Sequence, residues 1–293
     1  MSTKKGMSRT NHCLTVVLCI SIIIGLGTLL SACGQGSQTV ALRTVTSAVV
    51  PTRTVTSAVV PTPTASSARV QISYDPSLAA GVQEETFPAS PPDDLVPVPE
   101  HKVIVLVDSY AATRRLYRQP AGLDGEAKLM IFPVAGYEAA SPLAGERIQA
   151  LRSLLAERPA SPVGEIPLLP LVNGRQMFYS QLAYIDFANG SGVRFLTQYA
   201  QEPRNVNNSE MFYTFQGLTA DGAYYIAAFF PVSTQSLPED DAILREDYVA
   251  FEAAYGTYLP AAVQALDALS GQDFEPNLAK LDAILQSLLV QTN

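Results

Sequence analysis

The chain has 293 residues, with 19 Lys and Arg against 27 Asp and Glu for a formal charge of −8, and this balance excludes binding to nucleic acid through a basic face. Five of the basic residues and none of the acidic ones precede residue 66, so the remainder holds 14 basic against 27 acidic side chains, a net −13. A hydrophobic content of 47% excludes wholesale disorder, while 21 prolines announce extended segments.

The N-terminal residues include Lys4, Lys5 and Arg9 and no acid, and Cys13 to Leu30 is an almost unbroken apolar run. These are the charged and hydrophobic parts of a secretory signal. An uncleaved helix of that length would also just span a bilayer with its basic flank inside, and either arrangement places the bulk of the chain outside the cytoplasm. The run ends in Leu30-Ser31-Ala32-Cys33 followed by Gly34, which resembles the lipobox of bacterial lipoprotein precursors. The resemblance implies that residues 1–32 are a signal peptide and that Cys33 is lipidated, so that diacylglyceryl and palmitate-type chains anchor the protein on the extracytoplasmic face of the cell membrane. An anchor of about two acyl chains is physically sufficient. Cys13 and Cys19 then leave with the signal, so the mature chain has neither a free thiol nor a disulfide.

Arg43–Thr52 reads RTVTSAVVPT, and residues 53–62 repeat it. Two copies of ten Thr-, Val- and Pro-rich residues build no stacked core, so residues 33–66 are expected to be a tether. Residues 67–293 are expected to form one domain. In chain order, period-two alternation predicts strands at 68–74 and 81–87, followed by five prolines between Pro88 and Pro99. Apolar runs predict strands at 102–107 and, after the turn-like Gly122-Leu123-Asp124-Gly125, at 128–134. Ser141-Pro142 is a helix start, and Ala144, Ile148, Leu151 and Leu155 carry one apolar face to about residue 157.

Two antiparallel hairpins are expected next, 176–187 with 193–200 through Asn189-Gly190-Ser191-Gly192, and 211–218 with 223–232 through Thr219-Ala220-Asp221-Gly222. Both parities of the last strand are apolar, Tyr225, Ala227 and Phe229 against Tyr224, Ile226, Ala228 and Phe230, which predicts a sheet covered on both sides. The cover is supplied by a helix over 247–269, with Tyr248, Phe251, Tyr255, Leu259, Ala262, Leu266 and Leu269 on one stripe and Pro260 expected to kink or split it. A final helix is marked by Leu278, Leu281, Leu285 and Leu288. The fold class is therefore α+β, an antiparallel meander covered by helices on both faces. This order of strands, helix, meander and terminal helix resembles the layout shared by a photosystem subunit and Ran-binding proteins, a likeness of layout that implies no activity.

His101 is the single histidine after the signal segment. Thiol catalysis and a zinc site of the usual His/Cys composition are excluded, and neither a metal nor any other cofactor is expected. A Ser-His-acid triad would have to run through His101 with Asp108 or Glu100; a surface histidine is the simpler reading. No G-x-S-x-G, G-x-G-x-x-G or phosphate loop is present. Asp93-Asp94 and Glu239-Asp240-Asp241 are paired acids, the second best read as favouring a helix start. The remaining candidates for binding are Arg175, Arg194 and Arg204, scarce cations in an acidic domain that can hold an anion or make ordinary ion pairs, and Tyr179, Tyr199 and Tyr213, from an aromatic-rich meander. The expectation is a membrane-anchored lipoprotein presenting an acidic domain to a protein or small-molecule ligand. The alternatives are an envelope hydrolase using carboxylates and the solute-binding component of a transporter.

Overall fold

Residues 63–91, 93–113 and 125–292 are described by the computed structural model. The lipobox, the tandem repeat and residues 122–124 of the expected turn lie outside them. The described elements are β1 (Ala68–Gln71), β2 (Gly81–Phe87), β3 (His101–Val107), β4 (Lys128–Pro133), α1 (Val134–Ala140), α2 (Pro142–Glu157), β5 (Arg175–Phe187), β6 (Gly190–Ala200), β7 (Phe212–Thr219), β8 (Tyr224–Pro231), β9 (Ser233–Thr234), α3 (Tyr248–Asp267), β10 (Phe274–Glu275), α4 (Leu278–Gln286) and β11 (Leu289–Thr292).

Seven strands form one antiparallel sheet in the order β2-β3-β4-β8-β7-β6-β5, so β2 and β5 are its edges. The fold is α+β, with helices on both faces. Tyr225, Ala227 and Phe229 join Phe132, Phe195 and Phe212 under Tyr137 of α1, Ala144, Ile148 and Leu151 of α2, and Ile166 to Leu169 of the segment that follows. Tyr224, Ile226, Ala228 and Phe230 face the other way, against Leu278, Leu281, Ile284 and Leu285 of α4 and Leu266 of α3. Every residue of β7 and β8 is buried, which is why both parities of β8 must be apolar. Each fully buried Phe or Tyr contributes on the order of 2–3 kcal/mol of transfer free energy. A ribbon of β1 paired with β11, in the register Val70 to Val290, closes the α4 side.

Several local expectations are corrected. The strand expected to reach residue 134 stops at Pro133, whose backbone precedes the unanticipated helix α1. The first hairpin turns through two residues, Ala188 and Asn189, because Phe187 already pairs with Gly190. Gly190 and Gly192 are strand residues rather than loop, and the reason is steric. A Cβ on Gly192 would lie 2.2 Å from Cζ of Phe215 and 2.6 Å from the Gln216 carbonyl, so the aromatic ring occupies the space a side chain would need. The turn residue Asn189 instead closes the molecule, because its amide accepts from Val290 N at 3.2 Å and donates to Val290 O.

α3 runs unbroken through Pro260. The carbonyl of Gly256, which proline leaves without its helical donor, sits on an exposed turn where water can serve it. Its apolar stripe covers less than expected. Phe251 and Leu266 are buried, whereas Tyr255, Tyr258, Leu259 and Val263 remain half-exposed, and α4 supplies the tighter cover. Thr64 to Ser67 already belong to the packed domain. Ala65 is fully buried, and Ser66 donates from N and Oγ to Glu100 Oε1 at 3.2 and 2.7 Å.

Candidate functional site

β5 is the longest strand and an edge, and two register shifts interrupt its pairing with β6, between Gln176 and Phe178 and between Ser180 and Ala183. At the second bulge Gln181 takes φ 53, a left-handed conformation that costs a side-chain-bearing residue roughly 1 kcal/mol. The surroundings hold it there. Gln181 N donates to Asp267 Oδ1 at 2.8 Å, and Ser180 Oγ donates to the same oxygen at 2.6 Å. The Gln181 amide donates to the carbonyls of Leu266 and Leu269, both at 2.8 Å, satisfying helix-end acceptors of α3. The Gln181 carbonyl accepts from Arg194. The bulge therefore welds the sheet edge to the end of α3.

On the opposite face, side chains of the sheet clamp the segment after α2. The Gln176 amide accepts from Ile166 N at 2.8 Å, Tyr179 Oη donates to Pro162 O at 2.7 Å, and Tyr184 Oη donates to Pro159 O at 3.0 Å. Buried Gln216 accepts from Leu169 N at 3.0 Å and from Tyr225 Oη. The loop 159–169 and α3 thus stand as two walls on either side of β5. Between them lies a groove of about 950 Å³. Its floor is Gln176, Met177, Phe178, Tyr179, Gln181 and Leu182; Ser161, Gly164 and Glu165 form one wall, and Leu259, Pro260, Val263, Gln264 and Asp267 the other. Successive strand residues point to opposite faces. One groove that touches Gln176 through Tyr179 in succession must therefore straddle the edge of the strand.

Of the six residues singled out from the sequence, Tyr179 and Arg194 line this groove. Arg194 is not an open anion receptor. Its Nε and Nη2 grip Asp282 at 3.1 and 3.3 Å, and its guanidinium lies 5.9 Å from the Tyr213 ring centroid. Tyr213 Oη donates to Asp282 Oδ1 at 2.7 Å, and burial, reinforced by that carboxylate, pushes the phenol pKa well up. Tyr199 stands behind the floor, accepting from the Gln176 amide at 3.2 Å, its pKa raised by burial. Arg204 belongs to a separate network with Glu202, Glu210 and Asp241 at 3.0, 3.3 and 2.8 Å. Arg175 is exposed at the start of β5. The arginines are thus not assembled as one anion site.

His101 is not a surface histidine. It is 8% exposed, stacked between Phe87 and Phe132 at 5.6 and 4.9 Å, with Nδ1 2.9 Å from Pro99 O. Burial lowers its pKa. Glu100, the possible triad orienter, is engaged by Ser66 instead. Asp240 and Asp241 precede a single 3-10 turn, Ala242–Arg245, whereas α3 is capped by Asp247. Asp240 accepts from Ala242 N at 2.8 Å, and both carboxylates meet Arg245. The carboxyls with shifted pKa values, Asp75, Asp186, Asp221 and Asp273, are all lowered, chiefly by hydrogen bonds from Lys280, Arg158, Thr219 and Ser270. That is the direction of structural carboxylates, opposite to that of a general acid. Among the described residues no cluster of three His, Cys, Asp or Glu side chains is placed to hold a metal ion, and no helix is long and apolar enough to cross a membrane.

The groove residues not singled out from the sequence include Gln176, Met177, Gln181, Leu182 and Asp267. A parity break was the available signal. Phe178 and Ile185 lie in the same core although an odd number of steps separates them, so an extra residue must be accommodated between them. No protein family, curated protein or solved structure matches the chain.

Proposed function

We propose that the protein is an exported lipoprotein, anchored through Cys33 and held off the membrane by the residues between Cys33 and Thr64, whose acidic domain binds a ligand in the groove over β5. The observation that carries the binding reading is the groove itself. Its floor and two walls come from three separate chain segments, each pinned by side-chain hydrogen bonds, and it combines apolar area from Met177, Phe178, Leu259 and Val263 with hydrogen-bonding groups of Gln176, Tyr179 and Gln264. A preformed concave site with an apolar lining and a few placed polar groups is the usual form of a binding site. The two carboxylates in its walls favour binding over hydrolysis: Glu165 is ion-paired with Arg147 at 3.2 Å, and Asp267 is committed to the bulge. The groove also lies against a sheet edge, unlike the interlobe cleft of a transporter's solute receptor.

The anchor is tested by mass spectrometry of the membrane-extracted protein, where a diacylglyceryl adduct on an N-terminal Cys33 is expected and an unmodified Cys33 overturns it. The site is tested with the neutral solvatochromic dye Nile red. Its fluorescence should rise with the wild-type protein and fall back with Val263→Arg, which fills the groove from a half-exposed helix position. Equal fluorescence from the two proteins removes the groove reading.

A further inference from the structure

We propose that the groove's ligand is an extended polypeptide that adds to the outer edge of β5 as an eighth strand and places a basic side chain against Asp267. This rests on the groove reading above and specifies its ligand. β5 ends the sheet, so along Gln176 to Tyr179 the outward backbone N–H and C=O groups meet no further strand among the described residues. The same residues line the floor of the groove. Outward donors and acceptors on an edge strand are matched by another backbone, here across the bulge between Gln176 and Phe178, and the walls on either side offer separate pockets for its side chains. Met177 and Phe178 with Leu259 and Val263 form the pocket on the α3 side; Tyr179 and Leu182 form the one on the loop side.

The length of the added strand is set by the bulge. At Gln181 the outward N–H is already taken by Asp267 Oδ1, so a carboxylate stands where the next residue of an incoming strand would accept. Pairing therefore stops after Tyr179. Charge selects the residue at that stop. Asp267 is exposed, its hydrogen bonds come from the neutral donors Ser180 and Gln181 onto Oδ1, and among the described residues no cation pairs with it. By contrast, Arg194 is occupied by Asp282 and Glu165 by Arg147. The net charge of −13 beyond residue 65 steers a basic partner to the same surface.

The experiment is selection of a displayed library of random linear peptides on the full-length protein in detergent micelles, followed by titration of the enriched peptides as synthetic material. Peptides with alternating apolar residues and a Lys or Arg at one end of the run are expected. N-methylation of alternate backbone amides on the strand's pairing side should weaken binding about tenfold, while methylation on the other side leaves it unchanged. Asp267→Asn keeps the acceptor for Ser180 and Gln181 but removes the charge, and should cost about threefold in affinity and abolish most of the salt dependence. Enriched peptides indifferent to both changes overturn the proposal. If no peptide is enriched while Nile red binds wild type and not Val263→Arg, strand addition fails and the groove stands; if neither binds, both readings fail together.

Discussion

The two edges of the sheet face the same hazard, unpaired backbone that invites another strand, and meet it by different means. β2 lies open. Val82 to Phe87 are all exposed, Val82 at 44% and Phe87 at 39%, and protection comes from charge at Glu85, since Glu84 is paired with Lys102 of β3. β5 is bulged twice, overlaid by a loop on one side and a helix on the other, and sealed at Gln181 by Asp267. Charge repels partners without discrimination, whereas cover and bulges leave a defined opening of four residues. One edge is built to stay unpaired and the other to be selective.

The largest test of this contrast is the support behind β5. Asp282→Ala leaves Arg194 without its carboxylate, with only the Gln181 carbonyl as acceptor, and Tyr213 Oη without its acceptor in a largely buried setting, 11% exposed at the Arg194 side chain. It should lower stability by about 3–4 kcal/mol, read as a reduced urea midpoint; a loss below about 1 kcal/mol would remove the claim that the bulge is anchored from behind. Next, Gly192→Ala forces a methyl group into the Phe215 ring and the Gln216 backbone, and should cost about 2 kcal/mol by overpacking.

Asp267→Ala should cost roughly 1–2 kcal/mol and raise hydrogen exchange at Gln181 while amides of β2 keep their rates. Equal acceleration at both edges would show that the seal is not local. A fourth test addresses the β2 side through pH. Burial between Phe87 and Phe132 favours neutral His101, so its folded pKa lies below the ordinary 6.5 that applies in the unfolded chain. The unfolded state therefore binds more protons as pH drops below that value. Stability is complete above it, declines towards the lowered folded pKa, and then levels off. The difference curve between wild type and His101→Phe isolates this contribution, and a flat difference between pH 7 and pH 5 would refute it. The smallest effect on stability is expected from Glu85→Val, about 0.5 kcal/mol or less at an exposed position, yet sedimentation should reveal concentration-dependent association through the β2 edge, which then keeps only the paired Glu84.

Much of this architecture was legible in one dimension because the signals were local. The two-faced apolar pattern of Tyr224 to Phe230 announced a sheet buried on both sides, and Ser141-Pro142 with its apolar spacing marked α2 at the residues where it forms. Gly190 and Gly192 misled because glycine marks both turns and close approach, and only the position of Phe215 decides between them.

The candidate site stayed hidden for the same kind of reason. Asp267 is an ordinary helix-end acid until the fold brings it, across more than eighty positions of chain, to the amide of Gln181. Arg194 is a scarce cation until Asp282 and the Gln181 carbonyl occupy it. Periodicity encodes which face of an element is buried, since burial repeats with the element's own pitch. It carries no information about which distant side chain satisfies a bulge, because that partner is chosen by packing geometry in three dimensions.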